Sequence, residues 1–142
     1  MRQSLIAVVA CIALSVACDN SDSSSTTTPT APPAITDTFM GTIDPGGSSS
    51  HNFVVTQQGE VDVTLTAAGP PATIFMGVGL GATSSDPASP CSLDSRFTVQ
   101  AQAGTTPQVP PAIAPPGTFC VKVFDLGNQA AQVAYTVTVA HP

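Results

Sequence analysis

Positively charged side chains are scarce in this sequence of 142 residues. It contains three Lys and Arg residues against nine Asp and Glu, and only 8% of its residues are charged. Because affinity for nucleic acid comes mainly from neutralising phosphates, this composition argues against a nucleic-acid partner. We attribute the mild acidity to solubility.

Aromatic residues and histidines are also few, which limits the chemistry that the chain can carry. It has no Trp, one Tyr and two histidines, His51 and His141. A hydrolytic triad needs a base beside a nucleophile and an orienting acid. The serines at 48–50 are only sequence neighbours of His51, and no GxSxG motif is present. We therefore predict a protein that is not an enzyme and uses no cofactor, with His51 an exposed turn or strand residue.

Strand and turn signals dominate the chain from about Ile35 onward. Short runs with a period of two, rich in Thr and Val, are separated by clusters of Gly, Pro, Asn and Ser. With 14 Pro and 11 Gly, the composition favours strands and turns over helices. We predict an all-β domain over residues 35–142, an antiparallel β-sandwich of seven or eight strands.

Two segments give the clearest predicted strands. Residues 60–66 alternate strictly, which places Val61, Val63 and Leu65 on the inward face. Residues 74–81 also alternate, and three of the four side chains on their second face are glycines. Glycine weakens a strand unless something packs close to it, so a loop or a neighbouring backbone is predicted to cross that face.

The segments between the strands carry turn chemistry. Residues 57–59 predict a hairpin turn, and residues 82–94 predict a loop that contains Cys91. The proline-rich stretch 104–116 has room at most for a short edge strand around Val109 or Ile113. Residues 117–125 and 133–139 are the last two predicted strands.

Several packing and turn motifs carry a family resemblance: Phe39-x-Gly41, Phe53-Val54-Val55, Gly59 before Val61-x-Val63-x-Leu65, Pro116-Gly117-Thr118-Phe119-x-Val121-x-Val123, and Tyr135-Thr136-Val137. In these motifs the domain resembles the bacterial pre-peptidase C-terminal family, jelly-roll-like β-sandwiches usually appended to secreted proteases. Phe119 stands where that family often has Tyr, and no protease domain accompanies the module. The resemblance implies a jelly-roll-like fold and a role in localisation or in auxiliary binding of protein or sugar, and it carries no catalytic residue.

The N-terminus has the features of an export signal. A positive start at Arg2 precedes an apolar run of about a dozen residues, which is shorter than the roughly 20 residues of a spanning helix. Ser15-Val16-Ala17-Cys18 then resembles the lipobox of bacterial lipoproteins, with the usual Leu one place early at Leu14. The resemblance implies a signal peptide over residues 1–17 and lipidation of Cys18 with palmitate.

Two alternatives to lipidation at Cys18 stay open. One is cleavage at Cys11, which would leave an apolar core of about six residues, shorter than the roughly 7–15 of a signal. The other is release by an ordinary peptidase without lipid. The lipoprotein interpretation places the protein in the bacterial cell envelope, exported across the inner membrane and anchored by lipid. Residues 18–34, rich in Ser, Thr and Pro, are then a disordered tether.

The cysteine count fits this interpretation. Cys11 would leave with the signal and Cys18 would carry lipid, so Cys91 and Cys120 remain. In an oxidising compartment two thiols indicate one disulfide, which here closes a loop of about 30 residues. A pair of buried free thiols is the alternative, and metal ligation is disfavoured because neither cysteine belongs to a CxxC pair.

These observations predict a lipid-anchored module with a structural or protein-interaction role, whose partner is an envelope protein or a polysaccharide. The alternative is an accessory module that binds carbohydrate or calcium. Calcium takes clustered carboxylate oxygens, and Asp44 and Asp125 are the candidates for such a site. A carbohydrate would lie on a flat polar face, whose candidate residues are Thr64, Thr66, Thr98, Gln100, Thr136 and Thr138.

Overall fold

A computed structural model describes residues 34–142. The predicted signal peptide, the predicted lipidation site Cys18 and almost all of the tether lie outside the described residues. Residues 34–142 contain no helix, and so none that is long and apolar enough to cross a membrane.

The described chain forms eight strands, so the predicted all-β class and strand count are confirmed. The strands are β1 (Ile35–Ile43), β2 (Ser48–Val55), β3 (Gly59–Gly69), β4 (Met76–Thr83), β5 (Cys91–Ala101), β6 (Ala112–Ala114), β7 (Gly117–Phe124) and β8 (Val133–His141). They make two four-stranded sheets with the orders β1-β8-β3-β6 and β2-β7-β4-β5. We call these the first and the second sheet.

The chain is wound as a jelly roll. The antiparallel pairs β1 with β8, β2 with β7, β3 with β6 and β4 with β5 nest inside one another along the sequence. Among the eight strands of residues 34–142, only β4 and β5 are both consecutive in the chain and paired with each other. The hairpin predicted at residues 57–59 is therefore wrong, because β2 and β3 belong to different sheets and these residues carry the chain from one sheet to the other.

The core lies between the two sheets and is built from the alternating residues of their inner faces. Val61, Val63 and Leu65 are buried as predicted, and so are the odd-numbered residues 133–139 of β8. β8 lies between β1 and β3, so its inward side chains are covered on every side. β6 is the predicted short strand around Ile113, and it lies at the edge of the first sheet.

The glycine face of β4 is covered, as predicted. The Phe124 ring lies against Gly77, and the Leu93 and Thr98 side chains lie against Gly79. At Gly81 the covering group is backbone, because a Cβ built there would overlap the carbonyl oxygen of Ser92. The start of β5 therefore crosses directly over β4.

This crossing corrects the predicted loop 82–94. β4 continues to Thr83 and β5 begins at Cys91, which is the register partner of Thr83, so only residues 84–90 connect the two strands. The pairing then shifts between Gly79 and Gly81, and residues 94–97 of β5 are left outside the regular register as a bulge.

Cys91 and Cys120 form the predicted disulfide, with their sulfurs 2.07 Å apart. Cys91 begins β5 and Cys120 lies on β7, so the bond joins the two strands that flank β4. Both side chains are buried. The covalent bond therefore holds the start of β5 against the glycine face.

Candidate functional site

A groove of about 570 Å³ lies at the side of the sandwich where the edge strands β5 and β6 meet. One wall comes from the bulged part of β5 and the other from β6. Apolar side chains make up most of the lining: Leu80, Phe97, Ala112, Ile113, Ala114 and Phe119. Such a concave apolar surface is the usual form of a binding site.

Strand β6 forms one wall of this groove, and it turns its small side chains inward and its large side chain outward. Its inward residues are the small Ala112 and Ala114, which are buried, whereas its large apolar residue Ile113 is 65% exposed. A strand built only for the core would turn the isoleucine inward. The alanines leave space inside the groove, and Ile113 stands at its rim.

Prolines bracket β6 on both sides, at Pro110, Pro111, Pro115 and Pro116. Proline has no backbone N–H, so it cannot donate a hydrogen bond to an added strand. The free edge of β6 is consequently limited to three residues, which protects it from pairing with another strand. Any partner at this edge must be held mainly by side chains.

The β5 wall of the groove carries an ion pair at its rim. Arg96 donates through Nε and Nη2 to both oxygens of the Asp94 carboxylate, at 2.6–3.2 Å, and through its backbone N–H to Oδ1 at 2.9 Å. These hydrogen bonds lower the pKa of Asp94 to about 2. The Arg96 guanidinium also lies 5.4 Å from the centroid of the Phe97 ring. The two charges neutralise each other, so the rim has little net charge.

A separate polar network lies on the opposite side of the sandwich, where β1 and β2 meet. His51 Nε2 is 2.6 Å from the Tyr135 hydroxyl and 3.5 Å from Ser49 Oγ. The His51 ring stacks on Phe39 with the centroids 4.7 Å apart. Gly41 leaves the space that the Tyr135 ring fills, because a Cβ there would lie 2.8 Å from the hydroxyl.

The protonation of this network is set by burial. Burial lowers the pKa of His51 and raises the pKa of Tyr135. At neutral pH the phenol and the imidazole are therefore both uncharged, and a hydrogen bond joins the Tyr135 hydroxyl to His51 Nε2. Within residues 34–142 no carboxylate hydrogen-bonds to His51, so the ring lacks the orienting acid of a triad. His51 is a strand residue as predicted, but it is half-buried rather than exposed and ties β2 to β8.

His141 has a comparable structural environment. Its buried ring lies 5.2 Å from that of Phe53, and its Nε2 lies 3.2 Å from Asp37 Oδ2. Neither histidine contact was predictable from the sequence, because Tyr135 is 84 residues from His51 and Asp37 is 104 residues from His141.

Asp44 and Asp125, the calcium candidates, lie at one corner of the domain but serve the protein's own hydrogen bonds. Asp125 Oδ2 accepts from the Gly46 N–H at 2.7 Å, and Oδ1 accepts from three successive backbone N–H groups of residues 127–129. These bonds lower the pKa of Asp125. Asp44 Oδ1 accepts from the Gln132 amide at 2.9 Å. In the described part of the chain, no group of three or more acidic, His or Cys residues is placed to hold a metal ion.

The polar face predicted for carbohydrate is divided between the two sheets. Thr98 and Gln100 belong to β5 in the second sheet, whereas the other four candidates belong to β3 and β8 in the first. Register aligns Thr38, Thr138 and Thr64 in one row across the outer face of the first sheet. Three of the predicted hydroxyls, those of Thr66, Thr98 and Thr138, donate hydrogen bonds to strand carbonyls instead of pointing freely to solvent.

Comparison with protein-family models and with curated proteins finds no match for this chain. Its class is therefore defined by its structure, as a jelly-roll β-sandwich with an apolar groove between two edge strands.

The His51 network predicts a component of stability that is lost in mild acid. The pKa of His51 in the folded protein lies below its ordinary value near 6.5, so the unfolded chain takes up the proton first as the pH falls. The free energy of unfolding should therefore decrease as the pH falls through about 6.5, and stop decreasing from this cause below the folded-state pKa. About five separate urea denaturation experiments between pH 7.5 and pH 5 measure how the free energy of unfolding changes with pH.

The variant His51→Gln should flatten this pH dependence, since glutamine can accept the tyrosine hydrogen bond but does not titrate. The matched control His141→Gln should keep the pH-dependent part of the free energy of unfolding that we assign to His51. Parallel curves for the wild type and His51→Gln would contradict the assignment.

Proposed function

We propose that this protein is a lipid-anchored, non-enzymatic β-sandwich of the bacterial cell envelope that binds a protein partner in the groove between β5 and β6. The observation that carries the proposal is the order of side chains on β6, with alanines facing in and Ile113 facing out. A single exposed isoleucine is ordinary on a protein surface, but here it adjoins the apolar lining of the groove, and the two together form one apolar surface that a partner can cover.

The chemistry of the groove supports a protein partner. Aromatic and aliphatic walls, a neutral rim and a protruding isoleucine are typical of the apolar centre of a protein interface, around which polar groups exclude water. The exposed Ile113 side chain can pack into the partner's surface, and the groove can receive an apolar side chain of the partner. The disulfide keeps this surface in shape, because residues 92–95 of the groove follow Cys91 directly.

Several features support the envelope location. The Cys91–Cys120 disulfide agrees with an oxidising compartment outside the cytoplasm. The lipobox-like residues before Cys18 supply the anchor, and the Ser, Thr and Pro composition of residues 18–34 supplies a spacer. The jelly-roll winding supports the resemblance to the pre-peptidase C-terminal family, in which such modules have localisation or auxiliary binding roles.

Binding of a neutral carbohydrate is the second candidate, and the row of Thr38, Thr138 and Thr64 is the observation in its favour. The row carries no charged side chain, as a neutral sugar chain requires, but Thr64 is buried, so Thr38 and Thr138 are its accessible members. It ranks below the groove because part of its hydroxyls are used by the backbone and no aromatic ring lies in the row. Calcium ranks below both, because the carboxylates of Asp44 and Asp125 accept hydrogen bonds within the protein.

Replacement of the predicted lipid attachment site tests the anchor. We expect Cys18→Ala to move the full chain from the membrane fraction to the soluble fraction and to abolish its labelling with palmitate, because stable anchoring by lipid requires two or more acyl chains. Cys11→Ala is the matched control and should remain lipidated. Palmitate incorporation that persists in Cys18→Ala would defeat the assignment.

A photo-cross-linker tests the groove. With p-benzoylphenylalanine in place of Ile113, the full chain should form a discrete covalent adduct on illumination of intact cells. The control position is Met40, which is also exposed on the outer face of the first sheet but lies on β1, the opposite edge strand. A discrete adduct at position 113 and none at position 40 is the expected result. If illumination gives no adduct at position 113, the groove is not an interaction site.

A further inference from the structure

Met40 has the most exposed large apolar side chain in residues 34–142. It lies on β1, an edge strand of the first sheet, and is 72% exposed. Its neighbours along the strand, Phe39 and Gly41, are partly buried on the inner face, where they contact the ring of His51 and the ring of Tyr135. The thioether side chain of Met40 therefore lies on the outer face of the sheet, away from the packed interior.

The second methionine of the domain is protected from solvent. Met76 begins β4, and its side chain is fully buried in the core. The amide nitrogen of Gln129 lies 3.2 Å from the Met76 sulfur. Because oxidants attack a thioether at sulfur, they reach Met76 only when the sandwich opens.

The other side chains that react readily with oxidants are also closed to them in residues 34–142. Cys91 and Cys120 are already joined in the disulfide. The chain has no Trp, its one tyrosine, Tyr135, is buried, and both histidines are partly or fully buried. Among the oxidisable groups of the described domain, the Met40 thioether is thus the one in open contact with solvent.

We infer that Met40 is an oxidation site, whose sulfur takes up one oxygen atom from a two-electron oxidant such as hydrogen peroxide while the rest of the domain stays unmodified. In this reaction the O–O bond of the peroxide breaks and an S–O bond forms. The sulfur loses two electrons and becomes a sulfoxide, and the second peroxide oxygen leaves as water with both protons. Met40 lies at the edge of the first sheet opposite β6, so the site is independent of the proposed groove.

Oxidation of Met40 changes the outer face of the first sheet and not the core. The other outward residues of β1 and β8 are all Thr or Ala, so Met40 is the largest apolar side chain on that part of the face. A sulfoxide puts a polar group in its place, beside its register partner Thr136. The modification therefore alters the polarity of this surface while the buried contacts of both sheets stay as they are.

Timed exposure of the full chain to hydrogen peroxide tests the site. Cleavage after Glu60, the one glutamate in the sequence, puts Met40 and Met76 on different peptides, and mass spectrometry then follows the added oxygen on each. In the folded protein Met40 should be oxidised at least about tenfold faster than Met76, because susceptibility follows exposure. In urea above the unfolding midpoint the two rates should become similar, since both sulfurs then face solvent.

Met40→Leu is the control variant, because it keeps an apolar side chain of similar size and removes the sulfur. Within the time that oxidises half of the wild-type Met40, residues 34–142 of this variant should gain no oxygen. Wild-type protein oxidised at Met40 should unfold at the same urea midpoint as untreated protein, because changes to exposed side chains have small effects on stability.

Equal rates for the two methionines in the folded protein, or faster oxidation of Met76, would overturn the assignment. So would an unreactive Met40 under conditions that oxidise the urea-unfolded chain, or oxygen uptake by residues 34–142 of Met40→Leu at the wild-type rate. A lower urea midpoint after oxidation at Met40 would contradict its place on a surface that can be modified without loss of the fold.

Discussion

The missing side chains on one face of β4 set the arrangement of the whole second sheet. With glycine at positions 77, 79 and 81, the Phe124 ring and the first residues of β5 lie directly on the strand. The closest approach is at Gly81, where the backbone of Ser92 occupies the space of a Cβ. This contact brings Cys91 over β4 to Cys120 on β7, and the disulfide then joins the strands on both sides of β4.

The groove follows from the same contact. Beside this contact the pairing of β5 with β4 shifts between Gly79 and Gly81, and residues 94–97 bulge at the open side of the sandwich. Asp94 and Arg96 stabilise the bulge with hydrogen bonds to each other. Opposite this wall, β6 supplies small inward residues, so the space between the edges stays open. A local backbone requirement at one glycine thus shapes the surface to which we assign binding.

The parts of the fold that depend on local alternation were predictable from the sequence. The period of two placed Val61, Val63 and Leu65 in the core, and the glycine face indicated close packing over β4. Pairing between distant strands was not predictable, because a turn signal does not say which strand is the partner. This is why residues 57–59 were expected to close a hairpin and Thr98 was expected to join the threonines of the other sheet.

The site was harder to predict than the fold. The disulfide followed from cysteine arithmetic, whereas the contact of His51 with Tyr135 joins residues 84 apart and left no sequence signal. The groove did leave one, since an isoleucine between two alanines, bracketed by proline pairs, reverses the size pattern of a core strand. Its meaning depends on the direction in which β6 faces, and only the packed sandwich decides that.

The most direct test of this account is the free energy of unfolding of Gly81→Ala, measured by urea denaturation against Gly117→Ala. Both replace a strand glycine with the same residue and neither position has a positive φ, but a Cβ at position 117 meets only the Phe119 ring at 3.6 Å. We predict that Gly81→Ala loses about 2 kcal/mol or more through displacement of β5, while Gly117→Ala stays within about 1 kcal/mol of the wild type. Equal midpoints for the two variants would contradict the central role of the contact at Gly81.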